Sequence, residues 1–209
     1  MTETACTLTP LGVVVLGMLR ESDLHPYAML RLMRQRRDDR LVSSSRGTVY
    51  HTVARLERAG LAAEVGVDRD GNRPERTTYT LTDAGRAAAD AWVRAHLARI
   101  DGILEFRIAL GEAHTLPRAE VAGLLGARRD ALTGHRDELR AGLTGAHERG
   151  VPLQFLVELD RELHVLDADL AWLDGLLTRL AEPDFPWGVH EVPSDTMVRL
   201  AAFRESVIA

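Results

Sequence analysis

The side chains best equipped for chemistry in this sequence are guanidiniums. All 26 residues counted as lysine or arginine are arginine, and the planar arginine fork donates two parallel hydrogen bonds to a phosphate or to the edge of a guanine. Between Arg46 and Ala59, at 100° per residue, Thr48, His51, Arg55 and Arg58 fall on one side of a helix and Val49, Val53 and Leu56 on the other. One side anchors and the other presents hydrogen-bond donors. Gly47 lies on the presenting side, where a missing side chain admits close approach of another surface, and Tyr50 lies on the flank. Periodicity alone leaves two readings open: the solvated side of an ordinary amphipathic helix, or a surface that meets nucleic acid.

Charge distribution favours the second reading without deciding it. The formal net charge is −5, which argues against a protein that is basic all over. Residues 1–98 hold 14 Arg against 12 acids, net +2, and residues 99–209 hold 12 Arg against 19 acids, net −7. Between Arg31 and Arg76 the balance is 11 Arg to 7 acids, net +4, enough for a local cationic surface on an acidic protein.

Other chemistries lack their residues. The sequence has no G-x-S-x-G, no G-x-x-x-x-G-K, no H-E-x-x-H and no C-x-x-C, so no enzyme is expected and no cofactor. Ser43, Ser44 and Ser45 read as a helix-capping cluster. None of the eight histidines has another three or four residues away, so a helical metal clamp would need distant partners; His135 or His164 with nearby acids is the best such alternative. The single cysteine, Cys6, has no partner for an internal disulfide, in keeping with a reducing cytoplasm. The longest apolar stretch, Val13 to Met18, is far short of the roughly 20 residues that a membrane span needs, and no secretory signal is expected at Met1 to Thr9.

The elements that position the arginines can be read in order. Leu11, Val14, Val15, Met18 and Leu19 follow the spacing of a core-facing helix, with Thr9 as N-cap and Pro10 at its first position. A second helix opens at His25-Pro26 and carries Tyr27, Met29, Leu30, Leu32 and Met33; the polar run Arg34 to Arg40 reads as a turn. The third helix follows Ser45 and stops at Gly60. Two short strands come next: Leu61, Ala63, Val65 and Val67 alternate with less apolar neighbours, as do Tyr79 and Leu81. Asp70-Gly71 marks the turn between them, and Arg69, Arg73 and Arg76 decorate its tip. Three helices and a hairpin with a basic tip make a winged helix, which sets its third helix in the major groove and its hairpin over flanking phosphates.

Four stretches sharpen this order: His25-Pro26-Tyr27, Ser45-Arg46-Gly47-Thr48-Val49-Tyr50, Leu56-Glu57-Arg58-Ala59-Gly60-Leu61, and Arg73-Pro74-Glu75-Arg76-Thr77-Thr78-Tyr79-Thr80-Leu81-Thr82-Asp83-Ala84-Gly85. Together, over about residues 9–90, they resemble the PadR family of bacterial transcriptional regulators. The resemblance implies a homodimer on an inverted-repeat operator, usually a repressor released by a small molecule. It also implies that Ser45, Arg46, Thr48, Tyr50, His51 and Arg55 face DNA and that Arg73 and Arg76 act from the wing. At His51 many relatives have proline, and Tyr50 is equally suited to packing on the second helix. In shorter relatives an aromatic residue on the helix after the wing lines a ligand pocket, which singles out Trp92; packing without a ligand is the alternative for it.

The second half predicts long helices. Thr82 caps a helix through Ala87, Ala91, Trp92 and Ala95 toward Ile100, with a break at Gly102. Pro117 opens another, bearing Val121, Leu125, Leu132, Leu139 and Leu143, that runs to about Arg149 before Gly150-Val151-Pro152 turns the chain. Leu156, Leu163, Leu170 and Leu177 then recur every seventh residue, with Leu159, Leu166, Leu173 and Leu180 as the complementary set. Such a seam must be covered, either by the preceding helix or by a second copy; the expectation is a mixture, two helical hairpins that clasp. The length resembles PadR members with a helical C-terminal domain of the virulence-activator type. Residues 182–193, with Pro183, Pro186 and Pro193, read as a connector, and Ser194 caps a short terminal helix.

The expected fold is therefore mainly α with a small β-hairpin: a winged helix-turn-helix over 1–90, a helical dimerisation and effector domain over 91–181, and a connector with a short helix over 182–209. The expected function is a cytoplasmic, homodimeric, ligand-responsive regulator of transcription that binds double-stranded DNA. A winged-helix protein-interaction module or a metal-responsive regulator are the alternatives.

Overall fold

The computed structural model describes residues 8–68 and 76–208; Cys6, the Asp70-Gly71 turn, Arg69 and Arg73 lie outside them. The chain opens with α1 (Pro10–Glu21), α2 (Pro26–Arg36) and α3 (Arg46–Arg58). Each start is capped by the residue before it. Thr9 accepts the Gly12 amide on its hydroxyl at 3.2 Å, and the His25 ring accepts the Ala28 amide on Nδ1 at 3.0 Å, so two of the orphan donors at each helix start are served or removed, the second by proline. α2 continues three residues into the polar run that the sequence assigns to a turn. It ends where Arg37 adopts a left-handed φ of 61°, and a single 3₁₀ turn, Asp38–Arg40, leads on toward α3.

The hairpin pairs β1 (Ala62–Asp68) with β2 (Arg76–Leu81) antiparallel. Its register shifts between Glu64 and Gly66, which leaves Val65 unpaired and 52% exposed. The alternation expected for β1 is corrected accordingly: a bulge adds a residue and interrupts the two-residue period, and Ala62 is buried while Glu64, Val65 and Gly66 are exposed. Leu24 pairs with Tyr79 through two backbone hydrogen bonds of 3.0 Å. That bridge ties the start of α2 to the hairpin.

Val13, Val15, Leu16, Met29, Leu32, Met33, Val49, Val53 and Leu56 form the centre of a first core. From the hairpin the chain enters α4 (Asp83–Leu97), capped by Thr82. A Cβ on Gly85 would lie 1.9 Å from the carbonyl oxygen of Leu61, so glycine is required for α4 to pack against the hairpin's base. α4 ends at Leu97, short of Ile100, and Gly102 in the left-handed region starts α5 (Ile103–Glu112). The boundary expected at residue 90 falls inside α4, which serves two cores: Ala89 belongs to the first, Val93 and Leu97 to the second, and Trp92 packs against both.

The second core is built by α4, α5 and a hairpin of two long helices, α6 (Arg118–Glu148) and α7 (Val157–Ala181). At 1.5 Å per residue the 31 residues of α6 span about 46 Å. Arg128 of α6 is buried, stacked over Phe106 at 3.5 Å, and donates to the carbonyl of Arg99 just beyond the end of α4. Burial pulls its pKa down, and the negative end of α4 helps hold the charge.

The leucine seam is covered within the chain. Leu156, Leu163, Leu166, Leu170, Leu173 and Leu180 are buried, and Leu159 and Leu177 half-buried, within one chain, whose α7 packs along α6. The seam is thus the inner face of a helical hairpin, because Val121, Leu125 and Leu132 supply the complementary stripe from α6. Trp172 is 47% exposed on α7.

The tail folds back over its own chain. Arg118 donates from Nη1 to the carbonyls of Glu182, Pro183 and Phe185, and the Trp187 indole donates to Leu116 at 3.0 Å. Beyond this connector, α8 (Ser194–Ile208) lies against α2, with Val207 and Ile208 on the first core. Arg204 reaches Glu21 at 3.5 Å.

Candidate nucleic-acid interface

α3 is held from below. Val49, Val53 and Leu56 are almost fully buried and Thr52 joins them, so the helix cannot roll without opening the first core. Its other side and its start are open. Ser45 accepts the Thr48 amide on Oγ at 3.2 Å, and the Thr48 hydroxyl donates back to the Ser45 carbonyl at 2.9 Å. These bonds fix the cap geometry. The first turn contains no acidic residue, so the partial positive charge of the helix start is not neutralised from within. Exposed amides at such an end bind phosphate well.

Ser45, Arg46, Thr48, Tyr50 and His51 are all exposed. Arg46 stacks on Tyr50, its guanidinium carbon 5.5 Å from the ring centroid; Tyr50, 40% exposed, supports the arginine from outside the core. A cation held over an aromatic face keeps its in-plane donors for another acceptor. Arg58 is exposed and donates to the Ala54 carbonyl of its own helix at 3.2 Å.

Arg55, on the same face in projection, is held toward α1. It is half-buried, and its Nη2 donates to the Thr9 hydroxyl at 2.6 Å, while Nε is buried without a partner. The reason is geometric: Arg55 lies on the edge of the α3 face nearest α1, and its long side chain reaches the cap of that helix. Thr9 thereby serves two donors, one from each helix.

On the hairpin side, Arg76 stacks on Tyr27 with its guanidinium carbon 5.4 Å from the ring, and its Nη1 lies 3.5 Å from the His25 ring. Tyr27 is 43% exposed. This trio was legible only as a motif in sequence, because the strand pairing of Leu24 with Tyr79 is what brings the start of α2 beside β2. Arg73 lies outside the described residues.

The remaining candidates are scattered. Trp92 is half-buried and stacks on His96 at 4.0 Å, and the His96 ring bonds the Trp92 carbonyl. His135 meets Glu162 alone at 3.3 Å and His164 lies beside Asp160. Among the described residues no group of three His, Cys, Asp or Glu side chains is placed to hold a metal ion, and no helix is long and apolar enough to cross a membrane.

Comparison with known proteins agrees with the geometry of the first 90 residues. Residues 15–91 match the Transcriptional regulator PadR-like family. No curated protein matches the chain. Among solved structures, Bacillus subtilis PadR in complex with operator DNA aligns at 19% identity over 81% of this chain and 98% of that one, with a TM-score of 0.40. The same protein in complex with p-coumaric acid aligns at 19% identity over 83% and 100%, TM-score 0.37. The smu.1604c protein of Streptococcus mutans UA159 aligns at 16% identity over 80% and 98%, TM-score 0.37. The stretch that matches this family model contains most of α1, all of α2, the capped α3 and the hairpin.

Proposed function

We propose that the chain is a homodimeric, sequence-specific DNA-binding regulator, a repressor that leaves an inverted-repeat operator when a small molecule binds. The observation that carries this reading is the start of α3: an exposed, acid-free first turn with Arg46 stacked on Tyr50, on a helix anchored by three buried side chains. In the proposal Ser45, Arg46, Thr48, Tyr50 and His51 meet the major groove, while Arg73 and Arg76 contact phosphates from the wing. Arg76 takes its posture from Tyr27. Trp92, with His96 stacked on it, is the aromatic surface proposed for the effector.

A second copy has surface to use although the seam is covered. Val157, Val165 and Trp172 on α7 and Met197, Leu200 and Phe203 on α8 are exposed apolar residues. Pairing through them would fix the distance between two reading helices.

The test is a mobility shift of the purified protein on its own upstream region across a salt series. Specific binding that weakens with salt is expected, since each phosphate contact releases counterions. Arg46→Ala should weaken binding roughly 10- to 100-fold, ~1–3 kcal/mol, without lowering the unfolding midpoint. Equal affinity for unrelated DNA, or an unchanged Arg46→Ala affinity, refutes the proposal.

A further inference from the structure

We propose that the cleft between α1, the end of α2 and α5 is a binding site for an amphipathic organic amine, whose ammonium pairs with Glu112. This reading is independent of DNA binding and concerns a site apart from Trp92.

The cleft has a volume of about 520 Å³, within the range of small-molecule sites. Its apolar wall comes from Val14, Met18, Leu41, Ile108 and Leu110. Three acids and three arginines complete it, and they are not equivalent. Glu21 is bound in a fork by Arg36, at 2.6 and 2.7 Å, and by Arg204. Burial opposes its ionisation, yet these partners hold its pKa below the usual value. Arg40 and Arg107 are exposed. Glu112 differs from all of these, for among the described residues its carboxylate makes no hydrogen bond or ion pair.

Glu112 lies flat against α1. A Cβ on Gly17 would stand 2.5 Å from its Oε1 and 2.7 Å from its Oε2, so the carboxylate occupies the space that any side chain at position 17 would fill. Arg20, the nearest cation on α1, is committed to Asp90 at 2.6 Å. Burial pushes the Glu112 pKa up to about 7, with Glu21 and Asp38 adding to it and Arg20 and Arg36 opposing. A partly desolvated carboxylate with no bonded partner, beside two other acids and above an apolar wall, favours a ligand that brings a cation on an apolar body. The exposed guanidiniums of Arg40 and Arg107 leave the outer end of the cleft suited to a neutral or acidic ligand tail.

2-Phenylethylamine is a suitable probe, titrated by calorimetry and saturation-transfer NMR against the full chain. 2-Phenylethanol and 3-phenylpropionate test the same body without the cation. The amine should bind at least tenfold more tightly than the alcohol. Its affinity should rise about tenfold from pH 6 to pH 8, as Glu112 loses its proton and the amine keeps its own. Glu112→Gln, which keeps the shape and removes a buried charge, should abolish both the preference and the pH dependence; Gly17→Ala, which displaces the carboxylate, should weaken the amine alone. The groups facing Glu112, namely Arg20, Glu21, Arg36 and Asp38, remain in both variants, and thermal melts confirm that the variants fold. No binding of the amine at 10 mM, on the order of the weakest single-ring contacts, overturns the site. So does equal binding of the alcohol, unaltered affinity in Glu112→Gln, or preference for 3-phenylpropionate, which would shift the anchor to Arg40 and Arg107.

Discussion

α3 and α7 are both amphipathic helices with a clean apolar stripe, and they use it differently. α3 buries Val49, Val53 and Leu56 in its own head and leaves polar side chains outside. α7 buries its leucine seam against α6 and still exposes Val157, Val165 and Trp172 on the far side. Periodicity identifies the face that must leave water; it does not identify what covers that face. For α3 the two questions have one answer, because a three-helix head has one interior. For α7 they separate, because a hairpin partner of 31 residues was available in the same chain.

The comparison breaks first at Leu173. Buried among the helices of the second core, its truncation to alanine should cost about 2–5 kcal/mol, and the loss should not depend on protein concentration. Urea unfolding at two concentrations tenfold apart tests this. A loss that shrinks as the protein is concentrated would mean that a second copy, not α6, covers the seam.

Gly85 comes next, at the junction between the two regions. Adding one methyl places it against the Leu61 carbonyl, so Gly85→Ala should destabilise by about 1–3 kcal/mol through displacement of α4 from the hairpin. Because α4 carries both Ala89 and Val93, the thermal transitions of both cores should move together. An unshifted midpoint would show that the helix start relaxes freely.

These two positions show what was legible in the sequence. Caps at Thr9, Ser45 and Thr82, the order of elements and the hairpin pairing are local, set by one residue and its next few neighbours, and the structure reproduces them. The fate of a long side chain is not local. Arg55 shares a helical face with Thr48 and His51 in projection, yet it ends on α1, because a guanidinium reaches farther than the spacing between helices. The stacking of Arg76 on Tyr27 and the position of Glu112 on Gly17 depend likewise on contacts between residues 49 and 95 positions apart. The β1 bulge is not legible in the sequence for a different reason: Val65 fits the expected alternation by type, and only the register shows it unpaired.

Arg55 also gives the smallest of the three effects and the sharpest contrast within α3. Its bond to Thr9 is short but incompletely supported, since Nε is buried without a partner. Removing the side chain loses one charge-assisted hydrogen bond and relieves one unsatisfied donor, so Arg55→Ala should cost only about 1 kcal/mol. Because that side chain points to α1, DNA affinity should fall less than about threefold, against the 10- to 100-fold expected at Arg46. Unfolding and mobility-shift measurements on the same two variants separate the roles. If Arg55→Ala leaves stability intact and weakens DNA binding as strongly as Arg46→Ala does, the arginine swings outward on binding and the outer side of α3 is wider than its unbound posture implies.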